Sequence, residues 1–288
     1  MKQQQYIYKQ MKFILKILNK LNLLKYINVN TKINVENQSI VIPVIGSTGY
    51  NNLNISESWM LKILELLNLS SDKLIVDVGV NIGQTLIKIK TTYPKMEYIG
   101  FDPNPFCVFY LKKLISANNW ENTNIIPSGV ANYSGIEFLD YYSDDITDSS
   151  ASIITDYRKK STVYKRDIVT LLEIERIDKL FKDKVISAIK IDVEGAELGV
   201  IESFVNKISE DRPFLLVEIL PVYNKNNISR INSQIKIEKI LKNLNYQIYP
   251  IHKGSTNQFK KLENIMSIGI HENLNWCDYI VSPITLEV

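Results

Sequence analysis

Four acids stand where short apolar runs end: Asp77 in LIVDVG, Asp102 in YIGFDPNP, Asp192 in AIKIDVEG and Glu218 in FLLVEI. Asp77 opens the segment Asp77-Val78-Gly79-Val80-Asn81-Ile82-Gly83-Gln84-Thr85. Its glycines let the backbone turn sharply and approach a ligand, and Asn81 can hydrogen-bond within the turn. A dinucleotide fingerprint needs GxGxxG so that a pyrophosphate can rest on a helix N-terminus. Here Asn81 replaces the second glycine, and the Asp77 carboxylate would repel a diphosphate but suits a ligand with a positive end. Asp102 follows Gly79 by 23 residues, at the end of the next strand, where an acid can accept both hydroxyls of a ribose. A ligand with an adenosine ribose at one end and an ammonium at the other is S-adenosylmethionine. A mere tight turn between strand and helix is the bland alternative, disfavoured by the two acids.

The run AIKIDVEGAE, residues 188 to 197, is the second unusual strand end. Lys190 and Asp192 are two apart and share one face of a strand, so a charged pair projects at the sheet's carboxyl edge. Glu194 and Glu197 fall in the first turn of the next helix, where the helix dipole explains them as well as chemistry does. Glu218 ends the following strand and neighbours Asp192 if the two strands are adjacent. Methyl transfer to an alcohol needs the hydroxyl deprotonated as it attacks, and Asp192, Glu218 or a pKa-depressed Lys190 could take that proton. Two close acids could also hold Mg²⁺ to polarise a diol. His252 and His271 are the only histidines, each as readily a surface residue as a base or ligand, with His252 favoured slightly by a nearby strand end. Cys107 and Cys277 lie far apart without metal-ligand spacing and read as reduced, inert thiols of a cytosolic protein.

These residues must be held by an alternating scaffold. Strands are predicted at 74–79, 97–101, 124–129, 185–192 and 214–219, with helices over 84–91, 105–117, 195–208 and 230–244 and two late strands, YQIYPI and CDYIVS. Strict βαβ alternation implies a parallel, doubly wound sheet that binds ligands at the carboxyl ends of its strands. Residues 130 to 165 read as an insertion with its own strand near IEFLDYY, Asp/Ser-rich turns and a basic stretch at Arg158 to Lys160. Upstream, residues 28 to 55 read as connecting structure apart from strand-like Ile40-Val41-Ile42, and Ser56 as the N-cap of a helix running to Leu69. Residues 8 to 26 form an amphipathic helix, with Lys12, Lys16 and Lys20 on one side and Phe13, Ile14, Ile17, Leu18, Leu21 and Leu24 on the other. It could lie on an anionic membrane or dock to a partner; packing on its own domain with a solvated lysine face is preferred. An extension over 1–55 and a catalytic domain over 56–288 follow.

The 288 residues are 45% hydrophobic and 23% charged, as in an ordinary globular protein, which excludes disordered, collagen-like and disulfide-scaffold classes. The net charge of +3 is unevenly spread: residues 1 to 36 carry seven Lys against Glu36 alone, leaving the remainder slightly acidic. Nucleic acid is therefore a poor guess as partner, since phosphate neutralisation needs a basic working domain. The N-terminal apolar stretch is broken by lysines and has no small-residue cleavage site, so neither a secretory signal nor a spanning helix is expected.

LIVDVGVNIGQT, YIGFDPNP, AIKIDVEGAELGVIESF and RPFLLVEI, in this order and spacing, resemble the FkbM family of S-adenosylmethionine-dependent methyltransferases. The similarity is clear over residues 73 to 220 and weaker in PVIGSTG, SESWM and WCDYIVSP. The resemblance implies a class I, Rossmann-like methyltransferase fold: an α/β doubly wound seven-stranded sheet whose last strand is antiparallel, here with an N-terminal helical extension. It implies O-methylation of sugars, glycans or natural products. By position, Asp77, Gly79, Asn81 and Gly83 would line the methionine end, Asp102 would take the ribose, and Ser128 and Gly129 would lie by the adenine. Family members often carry Glu where Asp102 stands. The leading reading is a cytoplasmic O-methyltransferase of a sugar hydroxyl in a surface polysaccharide, glycolipid or precursor, with a secondary metabolite as the alternative acceptor. If the N-terminal helix does more than pack, it would keep the enzyme at the inner face of a membrane. An amino-group methyltransferase of nucleic acids is disfavoured because IDVEG stands where an NPPY-like run would. A nicotinamide-dependent sugar oxidoreductase or epimerase would need a helical YxxxK pair after the glycine loop; Tyr8 and Lys12 precede it, and Tyr249 and Lys253 enclose Pro250. A degenerate scaffold domain is disfavoured by the acids at three strand ends.

Overall fold

The computed structural model describes residues 2–154 and 162–286. A helix, α1 (Lys2–Lys20), precedes a hairpin of β1 (Asn28–Val35) and β2 (Gln38–Ile45), then α2 (Trp59–Leu67). Alternation begins with β3 (Leu74–Val78), α3 (Gln84–Thr92), β4 (Glu97–Phe101), α4 (Pro105–Asn118) and β5 (Thr123–Ile126). A small sheet of β6 (Gly129–Val130), β7 (Gly135–Tyr141) and β8 (Lys165–Leu172) intervenes. The chain then runs through β9 (Ile186–Ile191), α5 (Glu197–Ser203), α6 (Val205–Asp211), β10 (Phe214–Glu218), α7 (Ile228–Asn243), β11 (Gln247–Lys253), β12 (Phe259–Leu262) and β13 (Asp278–Ser282).

The main sheet has the order β12-β11-β13-β10-β9-β3-β4-β5. Strands β5, β4, β3, β9 and β10 are mutually parallel, and β13 inserts antiparallel between β10 and β11. That is the expected class I methyltransferase fold, with β12 added as an eighth, edge strand. The chain turns from one half of the sheet to the other between β3 and β9, so their carboxyl ends flank the switch point, with Asp77 opposite Lys190 and Val78 opposite Ile191. β3 is buried along its whole length, which is why LIVDV reads as an apolar run rather than an alternation. Ile75 faces one apolar cluster, with α2, α3, α4 and the hairpin, while Leu74, Val76 and Val78 face the other, under α5, α6 and α7.

Several local expectations are corrected. Residues 28 to 45 are a full hairpin, paired from Asn28 with Ile45 to Val35 with Gln38, not connecting structure. Its Asn- and Lys-rich first strand hides the alternation, and only the packing of Val35, Ile40, Ile42 and Val44 into the core reveals it. The second helix starts at Trp59, and Ser56 does not cap it: the Ser56 hydroxyl donates to the Gln84 side chain at 2.7 Å instead. The run at 124–129 divides, because β5 ends at Ile126 and Gly129–Val130 pairs with β8 in the other sheet. The helix expected over 195–208 is two short helices meeting at Phe204. The first helix packs through Leu15, with Met11 and Leu18 beside it and Leu24 of the following turn buried with them, and Lys12 donates to the Leu53 carbonyl at 2.8 Å. Phe13, Ile14, Ile17 and Leu21, expected to face inward, are exposed, because the stripe at 11, 15 and 18 is the one that meets the domain. The basic stretch Arg158 to Lys160 lies outside the described residues. Among those described, no helix is long and apolar enough to cross a membrane.

Candidate active site

The turn from β3 into α3 brings backbone to backbone. Gly79 has φ +86°, its N–H donates to the Phe101 carbonyl at 2.9 Å, and a Cβ there would lie 1.8 Å from the Asp192 carbonyl oxygen. Only glycine fits this close approach. Two residues on, the Asn81 N–H donates to Asp102 Oδ2 at 2.7 Å, while the Asn104 N–H donates to Asp102 Oδ1 at 2.9 Å. Asp102 is buried, and burial pushes its carboxyl up to about 6 against the pull of these two N–H groups. Asn104 also caps α4 by accepting from the Phe106 N–H at 2.9 Å, just ahead of a proline at the first helical position.

The same two asparagines hold a roof. The Asn81 side-chain amide donates to the Thr147 carbonyl at 2.9 Å and that of Asn104 to the Ile146 carbonyl at 2.8 Å. The Asp/Ser-rich turn of the insertion is thereby tied over the glycine loop. Asp148 braces it from within, accepting from the N–H groups of Tyr142, Ser143 and Ser150. Beneath lies a cleft of about 740 Å³, floored by Gly79, Asn81 and Asp102, walled by Gly129 and Leu171 and roofed by Ser149, Ala151 and Ile153.

A second cavity of about 690 Å³ shares Gly79, Asn81, Ser149, Asp192 and Glu194 with the first and adds Glu57, Lys190 and Glu218. Lys190 is its hub: the ammonium lies 3.1 Å from Asp192 Oδ2, 3.6 Å from Asp77 Oδ1 and 3.1 Å from the Gly79 carbonyl, to which it donates. Burial alone would depress this ammonium, but the Asp192 and Asp77 carboxylates overcome burial and hold it above its ordinary value. The expectation of a pKa-depressed Lys190 base is therefore corrected. Glu218 goes the other way: burial, then the Asp192 and Asp278 carboxylates, push it up to about 9. Burial and the two neighbouring carboxylates thus favour the protonated form of Glu218. Glu197, also buried, accepts from the Gly195 N–H at 2.8 Å and is pushed up to about 7, chiefly by burial.

The remaining sequence-picked residues fall around this centre. Asp77 is wholly buried and lines neither cavity; its Oδ2 accepts from the Tyr98 hydroxyl at 2.7 Å. Its link to the second cavity is Lys190, whose ammonium lies 3.6 Å from Asp77 Oδ1. Gly83 starts α3 with φ +83° and packs against Leu111 and Leu114, shaping the turn without lining the cleft. Ser128 is buried, its hydroxyl donating to the Thr170 carbonyl at 2.8 Å, whereas Gly129 does line the cleft. His252 and His271 flank the Trp276 ring, at 5.5 and 6.0 Å between centroids, away from both cavities. Cys107 and Cys277 are free, buried thiols pushed above the ordinary value, mainly by burial. Among the described residues no group of three or more His, Cys, Asp or Glu side chains is arranged to hold a metal ion. Of the two acids, Asp192 already faces the Lys190 ammonium at 3.1 Å, so the residues do not fit the Mg²⁺ expectation.

Sequence reading missed the roof tethers, whose partners lie 66 and 42 residues away. It also missed Lys88, a buried lysine on α3 whose ammonium sits 3.0 Å from Glu57 at the edge of the second cavity. The one available signal was a pair of lysines, Lys88 and Lys90, within an otherwise core-facing helix.

The model of the methyltransferase FkbM domain matches residues 77–248. The chain belongs to the FkbM methyltransferase family. Among curated proteins it is similar to methyltransferase sdnD of Sordaria araneosa, 24% identical over 164 residues that make up 48% of this chain and 62% of that protein. Among solved structures it is similar to methyltransferase FkbM from Methylobacillus flagellatus, with TM-score 0.47 and 16% identity over 76% of this chain and 45% of that one. A Streptococcus mutans protein solved in complex with SAH matches with TM-score 0.42 and 10% identity, over 79% of this chain and 97% of its own. This FkbM-family chain thus spans less than two thirds of the length of the curated relative and about half that of the Methylobacillus protein.

Proposed function

We propose that this protein transfers a methyl group from S-adenosylmethionine to a hydroxyl, and that the acceptor is a sugar hydroxyl of a glycan, glycolipid or precursor. The observation that carries the reading is the Asp102 carboxylate, fixed by two backbone N–H groups at the floor of a cleft that opens into an acid-lined cavity at Asp192. The residues present fit the cofactor. Gly79 leaves a cradle that a Cβ would fill, Asp102 keeps lone pairs for two ribose hydroxyls, and Gly129, Leu171 and Ile153 offer an apolar slot for a purine. When bound, the cofactor supplies a methyl carbon activated by a sulfonium.

The protein's own groups manage the acceptor. Asp192 takes the hydroxyl proton, since a neutral alcohol is a weak nucleophile. Lys190 holds that carboxylate in place and is itself held by buried Asp77. Glu218, pushed up to about 9 chiefly by burial, offers a hydrogen-bond donor beside it. Gln84, Thr85, Ser149, Glu57 and Glu194 give the cavity polar partners for a polyol. Family membership supports methyl transfer, and the two buried, unpaired thiols suit a reducing cytoplasm.

The test is a panel of monosaccharides, nucleotide sugars and glycolipids assayed with radiolabelled cofactor, alongside calorimetry. Asp192→Asn should bind the cofactor as the parent does and lose turnover; retained turnover would remove Asp192 from the proton-acceptor role. Transfer confined to non-carbohydrate hydroxyls would assign a secondary metabolite as acceptor.

A further inference from the structure

The first helix carries an apolar face that the domain does not use. On the helix Phe13 is 65% exposed, with Ile14 and Ile17 exposed beside it, and in the turn that follows, Leu21 is 61% and Tyr26 74% exposed, together with Leu23. At 100° per residue, Phe13, Ile17, Leu21 and Ile14 fall within one band, while Leu15, Leu18 and Met11 fall on the side that meets the core. Lys16 and Lys20 stand immediately beside the exposed band, and Lys25 lies over the Tyr26 ring at 5.2 Å. Lys12 is different, because its ammonium is spent on the Leu53 carbonyl. Residues 1 to 36 hold seven lysines and one acid, so the apolar face lies within a strongly positive region of an otherwise slightly acidic chain.

We propose that this face lies on an anionic lipid bilayer, with Phe13, Ile14, Ile17 and Leu21 in the boundary between headgroups and acyl chains and Lys16, Lys20 and Lys25 at the lipid phosphates. An apolar stripe edged by lysines on a helix too polar to span is the pattern of an interfacial helix. Charge complementarity selects lipid over a second copy of the chain: two such helices face to face would bring their lysines together. The attachment also reaches the catalytic domain. Lys12 anchors the helix to Leu53, and the adjacent Asn52 donates to the Ile82 carbonyl of the glycine loop at 2.7 Å. The surface is independent of the cofactor and acceptor assignments.

The test uses the full chain with two vesicle compositions, phosphatidylcholine alone and phosphatidylcholine with about one third phosphatidylglycerol, read by co-sedimentation. Binding is expected only to the anionic vesicles. Each lysine near such a surface is worth about a fivefold factor in partitioning, so Lys16→Gln with Lys20→Gln should weaken binding about 25-fold, and added salt should weaken it further. Phe13→Ser, Ile17→Ser and Leu21→Ser together should abolish it while leaving cofactor affinity and the circular dichroism spectrum unchanged, because all three side chains are exposed. Equal binding to both vesicle types, no binding to either, or a concentration-dependent dimer that the triple variant dissolves would each overturn the proposal, the last by giving the face to a second copy.

Discussion

Replacing Lys190 by Met tests the electrostatic logic of the site most directly. The substitution removes an ammonium 3.6 Å from Asp77 and 3.1 Å from Asp192. The two carboxylates respond differently. The Asp192 side chain is 37% exposed and can take water in place of its partner. Asp77 is fully buried; Oδ2 keeps the Tyr98 hydroxyl, and Oδ1 has no other hydrogen-bond partner. The cost therefore falls on Asp77, and breaking a buried ion pair from one side costs about 3–5 kcal/mol. Burial already raises the Asp77 carboxyl above 3.8 against the pull of Lys190 and Tyr98, and without Lys190 it rises further. The folded variant then holds a proton that the unfolded chain releases, so its stability falls as pH rises above the ordinary value of 3.8. Urea unfolding with an unchanged m-value should show a defect that is small near pH 5 and full near about pH 8, and Asp77→Asn with Lys190→Met should regain most of it. A loss below about 1 kcal/mol at the higher pH, or a double variant no more stable than the single one, would refute the pairing.

Gly79→Ala places a Cβ 1.8 Å from the Asp192 carbonyl at φ +86°; the loop must shift, and cofactor affinity should fall about 100-fold or more in calorimetry, whereas unchanged affinity would exclude the glycine cradle. Because Asp102 is raised to about 6 and only its carboxylate accepts two hydroxyls, cofactor affinity should drop up to about tenfold per pH unit below that value, and Asp102→Asn should flatten the profile. Glu197 is raised from 4.5 to about 7, so the folded state keeps its proton longer than the unfolded chain and stability declines across that interval. Glu197→Gln keeps an acceptor for the Gly195 N–H and should stabilise the protein by about 1–3 kcal/mol above pH 7 in thermal or urea unfolding, with no gain near pH 4.

Much of the fold is legible in the sequence because a buried parallel strand must be apolar throughout. LIVDV, EYIGF, AIKI and FLLVE announce themselves, and the acids that interrupt or end those runs cannot be there for packing. The glycine loop, Asp102 and the pairing of Lys190 with Asp192 follow from local spacing alone. The hairpin at 28–45 and the inward face of α1 were not legible, since both depend on which of two plausible stripes meets a surface built by distant residues. The same holds for chemistry. Lys190 and Asp77 are separated by 113 residues, and only the adjacency of β3 and β9 sets the ammonium 3.6 Å from Asp77 and buries that carboxylate outside both cavity linings. Glu218 is pushed up to about 9 because burial, and then the Asp192 and Asp278 carboxylates, act on it together. Residue types and their spacing determined which groups are available; burial and long-range neighbours, which no local pattern records, decided which way each is pushed from its ordinary pKa.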